Sequence, residues 1–226
     1  MKNTTINVGV IKKIAKALGS LNEQVAYVGG AVVSLYINDP AADDVRPTKD
    51  VDITLQIASL SELEKLREML VTKGFTQTFE DDVICRFRFE DIKVDVMSTK
   101  AIGWAPANPW FKPGFDYLET VVVEEESIRI LPLPYFLATK YAAFKDRGSI
   151  DPRTSHDLED ITYILDNRTD LVDVISKAPD DVLTFLKELS SEIQNNEIMQ
   201  EAILSNLYYE SQSERFEMIM DKLKQI

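Results

Sequence analysis

The sequence predicts an α/β (α+β) fold, with an N-terminal mixed sheet flanked by helices over residues 1–131 and an all-α domain over residues 132–226. Three observations predict it. Short apolar runs such as Val25-Ala26-Tyr27-Val28, Val51-Asp52-Ile53-Thr54-Leu55 and Ile92-Lys93-Val94-Asp95-Val96 have strand length, and the last two alternate with a two-residue period. Beyond Pro132 and Pro134 only helical periodicity remains, so a boundary falls near Leu131. Between the first strand and the next apolar segment stands Val28-Gly29-Gly30, which reads as a strand-turn-helix junction.

Taken in order, Val10, Ile11, Ile14, Ala15 and Leu18 recur at helical spacing over residues 7–18, and Gly19 supplies the stop. Val25 to Val28 is a short strand. Ala31 to Ile37 reads as the first helix after the glycine turn, its N-terminus aimed at whatever the glycines cradle. Residues 38–48, with Asp39-Pro40, Asp43-Asp44 and Arg46-Pro47, form a polar loop before a strand over 49–55. A helix over 61–72 places Leu63, Leu66 and Leu70 on one face, with Ser59 or Ser61 as its cap. Residues 75–79, 83–89, 92–97, 120–123 and 128–130 read as strands of the mixed sheet. Residues 101–115 interrupt them with Trp104, Pro106, Pro109, Trp110, Phe111 and Pro113. This long aromatic loop reads either as a lid over the core or as one that stacks a base or positions an acceptor. The helical half is predicted over 135–145, 155–165, 171–176, 180–190, 197–207 and 213–223; its last three helices carry no chemical motif.

Composition narrows the chemistry. The chain has 226 residues, a net charge of −13 and a pI near 4.6. A negative field opposes non-specific binding to nucleic acid, so a nucleic-acid substrate needs a local basic patch, whereas a nucleotide arrives with its own metal. One Cys and one His cannot make a dedicated zinc site, and Cys85 cannot form an internal disulfide. Cys85 reads as a small buried hydrophobe within a strand. No run approaches the roughly 18 apolar residues of a membrane span. The N-terminus lacks a signal-peptide apolar region, so the expected compartment is the cytoplasm.

Asp50 and Asp52 project to one side of their strand while Val51 and Ile53 enter the core. Two adjacent carboxylates repel, and the relief is open solvent or a bound cation. A solvated strand edge would carry the same triplet; what singles this one out is Asp95 on a later strand and the glycine turn 20 residues earlier. Hard oxygen donors of this kind suit Mg²⁺ or Mn²⁺, with substrate phosphates completing the octahedron. Arg46 and Lys49 flank the acidic strand, where they contact substrate or offset the carboxylate charge. Lys140 and Arg147, seven residues apart, return to nearly one helix face, and both can bind phosphate. Asp157 and Asp160, three apart on the next helix, read as an ion-pair scaffold for that pair or as an ordinary solvated face.

These residues together resemble the polymerase-β-like nucleotidyltransferase superfamily, in particular the AbiE-type abortive-infection toxins, and more distantly the lincosamide nucleotidyltransferases. The resemblance runs from about Ala26 to Asn167. It rests on Val28-Gly29-Gly30-Ala31, Thr48-Lys49-Asp50-Val51-Asp52-Ile53, Lys93-Val94-Asp95-Val96, and Leu137-Ala138-Thr139-Lys140 to Arg147 with His156-Asp157-Leu158-Glu159-Asp160-Ile161. It implies transfer of a nucleoside monophosphate from a nucleoside triphosphate (NTP) to an acceptor hydroxyl on RNA, protein or a small molecule, with release of pyrophosphate. Asp50 and Asp52 would hold both Mg²⁺ ions, and Asp95 would complete the catalytic one. Gly29, Gly30, Lys49, Lys140 and Arg147 would contact the triphosphate, with Arg46, Asp157 and Asp160 in support. Gly30 stands where many members carry Ser, which removes one hydroxyl contact to phosphate. His156 precedes the first helix aspartate where relatives often carry Lys. A toxin of this kind implies an antitoxin partner. The alternative within the same fold is a catalytically silent member that binds nucleotide or a partner.

Overall fold

A computed structural model describes residues 3–78, 80–81 and 83–226. It divides into two compact units, one of residues 1–34 and 44–132, the other of residues 35–43 and 133–226.

The first unit carries the sheet. Helix α1 (Asn3–Leu18) buries Ile11, Ile14, Ala15 and Leu18, and Gly19 terminates it at φ +53, the left-handed conformation expected just past a helix end. Strand β1 (Val25–Val28) is fully buried and leads through Gly29 into a 3₁₀ helix, Gly30–Tyr36. The predicted α-helix over 31–37 is thus a tighter coil: its β-branched Val32 and Val33 are crowded in an α-helix, and both are buried. Strand β2 (Asp50–Leu55) follows, then α2 (Leu60–Thr72), whose cap is Ser59: its Oγ accepts from the Glu62 N–H at 3.2 Å while Glu62 accepts from the Ala58 N–H at 2.8 Å.

Strands β3 (Arg86–Phe89) and β4 (Ile92–Ser98) form a hairpin turned at Glu90, φ +53. The strand expected from Val83 begins only at Arg86, because 84 and 85 are a turn in which Cys85 is buried. The strand expected over 75–79 reduces to one bridge, Thr76 opposite Arg88; Phe75 packs in the core, and Phe79 lies outside the described residues. After a short helix α3 (Phe111–Phe115), β5 (Glu119–Val123) and β6 (Glu126–Ile130) complete a six-stranded sheet in the order β3-β4-β2-β1-β6-β5. The β2–β4 and β1–β6 pairs are parallel and the other three antiparallel, a mixed sheet as expected.

The second unit is helical: α4 (Leu133–Ala143), α5 (His156–Asn167), α6 (Leu171–Ser176), α7 (Asp180–Asn195), α8 (Glu197–Ser205) and α9 (Gln212–Leu223). Every residue of α4 from Leu133 to Tyr141 is buried, the signature of a central helix that packs on all sides. Residues 35–43 group with these helices because Tyr36 stacks on Phe136 at 4.4 Å and the Asp39 N–H donates to the Asn167 carbonyl. Among the described residues no helix is long and apolar enough to cross a membrane.

Candidate active site

Parallel pairing of β2 with β4 sets Asp52 directly opposite Asp95 and Asp50 opposite Lys93. Opposed residues share a face about 4.8 Å apart. The alternate residues Val51, Ile53, Val94 and Val96 are buried in the core, while Asp50, Asp52 and Asp95 keep partial access to solvent. The structure therefore brings the three predicted aspartates to one face of the sheet.

Gly29 has φ +73, and a Cβ built there would lie 1.8 Å from Asp52 Oδ2. The glycine is required twice, by the backbone turn and by the carboxylate that lies against it. Upstream, Asn7 is fully buried; its side-chain amide donates to the Arg46 carbonyl and accepts from the Thr48 N–H, both at 3.0 Å. Thr48 Oγ1 in turn accepts from the Asp50 N–H at 3.1 Å. Arg46 thus anchors the strand entry through its backbone, and Lys49 is exposed. In the sequence Asn7 carries no signal, being a lone amide inside a helical pattern.

Asp95 is not open to an ion as it stands. The Arg86 guanidinium, opposite it on β3, donates from Nε to Oδ1 and from Nη2 to Oδ2, both at 2.7 Å. That pairing, together with the neighbouring Asp50 and Asp81 charges, raises the Arg86 pKa against a smaller opposing effect of burial. Arg88, two residues on, forms a second fork to Asp81 at 2.7 and 2.9 Å, and Arg88 holds the Asp81 carboxyl down to about 2. Arg86 and Arg88 alternate with buried Phe87, and this polar period inside an apolar run was the readable signal. Burial, with the Asp95 and Asp52 charges, pushes the Cys85 thiol up to about 11, which leaves it protonated near neutral pH and a poor nucleophile.

Asp50 and Asp52 supply the hard oxygen donors that Mg²⁺ or Mn²⁺ takes, and Asp95 has the register to join them. Among the described residues no three ligating groups converge with the side chains as they stand. The donor chemistry fits a divalent cation, and the Arg86 fork accounts for the orientation of Asp95.

In the helical unit Lys140, Arg147, Asp157 and Asp160 also meet. Lys140 Nζ lies 2.6 Å from Asp160 Oδ2 and 3.4 Å from Asp157 Oδ1, and Arg147 Nε donates to Asp157 Oδ2 at 2.9 Å. Lys140, Asp157 and Asp160 are buried, whereas the Arg147 side chain is 70% exposed. The α4 helix passes into a π turn, Phe144–Gly148, before Arg147 reaches Asp157. A Cβ on Gly148 would fall 2.4 Å from Ser155 Oγ, the cap of α5. A cavity of about 390 Å³ opens beside Arg147, Ser155 and His156, and His156 pairs with Glu159 at 2.9 Å.

The aromatic loop packs against the core side of the first unit. Trp104 lies 5.6 Å from Phe87, under the Arg67 guanidinium, and a Cβ on Gly103 would meet Leu63 at 2.8 Å. Since Phe87 alternates with Arg86, Trp104 sits on the face away from the aspartates.

Similar solved structures include the solution structure of the antibiotic-resistance factor ANT(2'')-Ia, which aligns over 87% of this chain and 98% of its own at 15% identity and a TM-score of 0.51. An antigenic nucleotidyltransferase-like protein from Paracoccidioides brasiliensis aligns over 89% and 93% at 18% identity and a TM-score of 0.49. JHP933 from Helicobacter pylori aligns over 99% and 94% at 15% identity and a TM-score of 0.46. No curated protein matches. The mixed sheet carries Asp52 and Asp95 in register beside a glycine turn, and the class to which the sequence itself matches is that of the nucleotidyltransferases. Residues 16–225 match the model described as nucleotidyl transferase AbiEii toxin, type IV toxin-antitoxin system, and the chain belongs to that family.

Proposed function

We propose that the protein transfers a nucleoside monophosphate from an NTP to an acceptor hydroxyl, releasing pyrophosphate. The register of Asp50, Asp52 and Asp95 on one sheet face beside Gly29 carries this reading. Asp50 and Asp52 would hold Mg²⁺ or Mn²⁺, with Asp95 completing the set; the bound cations supply charge neutralisation at the attacking and leaving oxygens. Asp95 would also help to take the proton of the acceptor hydroxyl. Backbone N–H groups at Gly29 and Gly30 would approach the triphosphate without side-chain obstruction. Arg147, exposed and held by Asp157, offers a phosphate contact, and Lys140 fixes Asp157 and Asp160 behind it.

The family description as a toxin supports two further expectations: induced expression arrests growth, and a co-expressed antitoxin partner relieves the arrest. One observation favours the catalytically silent alternative, because both Asp95 oxygens are engaged by Arg86. A single experiment separates the readings: label transfer from each of the four α-labelled ribonucleotides into lysate fractions, with Mg²⁺. Activity abolished by Asp50→Ala and by Asp95→Ala supports transfer; activity that survives either substitution overturns the assignment.

A further inference from the structure

Arg86 stands on the carboxylate face, and the proposed chemistry gives it no role. Its fork to Asp95 is bidentate at 2.7 Å on both arms, and each side chain is only 16% exposed, so solvent screens it weakly. A guanidinium in this place does what a cation would do: it offsets the repulsion of Asp95 by Asp52, its direct neighbour across β2 and β4. It also opposes a divalent ion at the same carboxylate, because like charges within a few ångströms cannot share one anion at low cost.

Two other cations lie on the neighbouring strands. Arg88 is committed to Asp81, and Lys93 lies across from Asp50 on β4. Release of Asp95 is mechanically open to Arg86, since β3 is the terminal strand of the sheet and the guanidinium rides on a long side chain. The guanidinium that leaves a carboxylate has the geometry to take a phosphate instead.

We propose that Arg86 is a positioning residue that latches Asp95 away from the metal, so that the ion and the guanidinium compete for one carboxylate. This rests on the metal reading of the site given above. It makes the ion-free protein stable with three clustered aspartates, and it makes occupancy of the third ligand conditional on Arg86 letting go.

The test is Mn²⁺ binding by electron paramagnetic resonance, with the full chain stripped by chelator and no nucleotide present. Arg86→Gln is expected to bind Mn²⁺ about tenfold more tightly than the parent. Its ion-free form should melt lower, and Mn²⁺ should restore more of its melting temperature than it adds to the parent's. Arg86→Lys, which keeps the charge and loses the fork, should fall between the two and serves if the glutamine variant does not fold. Mn²⁺ affinity that is equal or weaker in the folded variants overturns the latch and leaves the metal reading standing. Absence of Mn²⁺ binding in the parent and in every variant overturns the metal reading and the latch with it.

Discussion

Gly29 and Asp52 are coupled at the level of single atoms. Gly29→Ala must relieve both a positive φ and a 1.8 Å overlap with the Asp52 carboxylate. It should cost about 1–3 kcal/mol in urea unfolding from the backbone alone, and displace Asp52 enough to weaken Mn²⁺ binding. Asp81 makes a pH-dependent contribution of defined sign. Its carboxyl is held at about 2 by Arg88, below the unfolded value of about 3.9, so the stabilisation is complete above that value and is lost as pH falls towards 2. The difference in melting temperature between the parent and Asp81→Asn should therefore be constant near neutrality and close between about pH 4 and 2. That Asp50 and Asp52 share one strand face was legible from alternation, and Asp95 on a later strand with the glycine turn singled them out. The partners of Asn7 and Arg86 were not, because a residue 9 or more positions away becomes a partner only through register.

At the scale of elements, the α4–α5 pair shows how one ion cluster divides into structural and exposed parts. Lys140→Met leaves buried Asp157 and Asp160 without their shared cation and should destabilise the protein by about 3–5 kcal/mol, read by denaturant unfolding. Arg147→Met removes a side chain 70% exposed, so melting should change little while nucleotide transfer falls. A second clamp closes the other end of α5. Lys222 of α9 donates to the carbonyls of Leu165, Asp166 and Arg168, and Arg215 pairs with Asp166. Lys222→Ala strands these acceptors and should cost about 1–3 kcal/mol with an unchanged denaturant slope. Helix positions were read well because apolar spacing repeats over several turns. Segments that shifted, such as residues 31–37, 83–85 and the strand expected over 75–79, are short, and there local side-chain crowding and hairpin geometry outweigh pattern.

For the whole molecule, the charge of −13 predicts that random duplex DNA or RNA is not retained in gel-shift assays near about 150 mM salt. Retention of a specific acceptor would have to come from local cations such as Lys93 beside Asp50. By itself the sequence determined the class of fold, the change from sheet to helices near Leu131, and the placement of Asp50 and Asp52 on one strand face. These follow from periodicities of two and 3.6 residues, which are properties of local backbone geometry. Only the tertiary structure decided that β2 runs parallel to β4 with Asp52 opposite Asp95, that Asp52 lies against Gly29, and that Arg86 holds Asp95. Pairing register and side-chain partnership are settled by contacts between segments distant in the chain, where a slip of one residue would have sent Asp95 to the buried face.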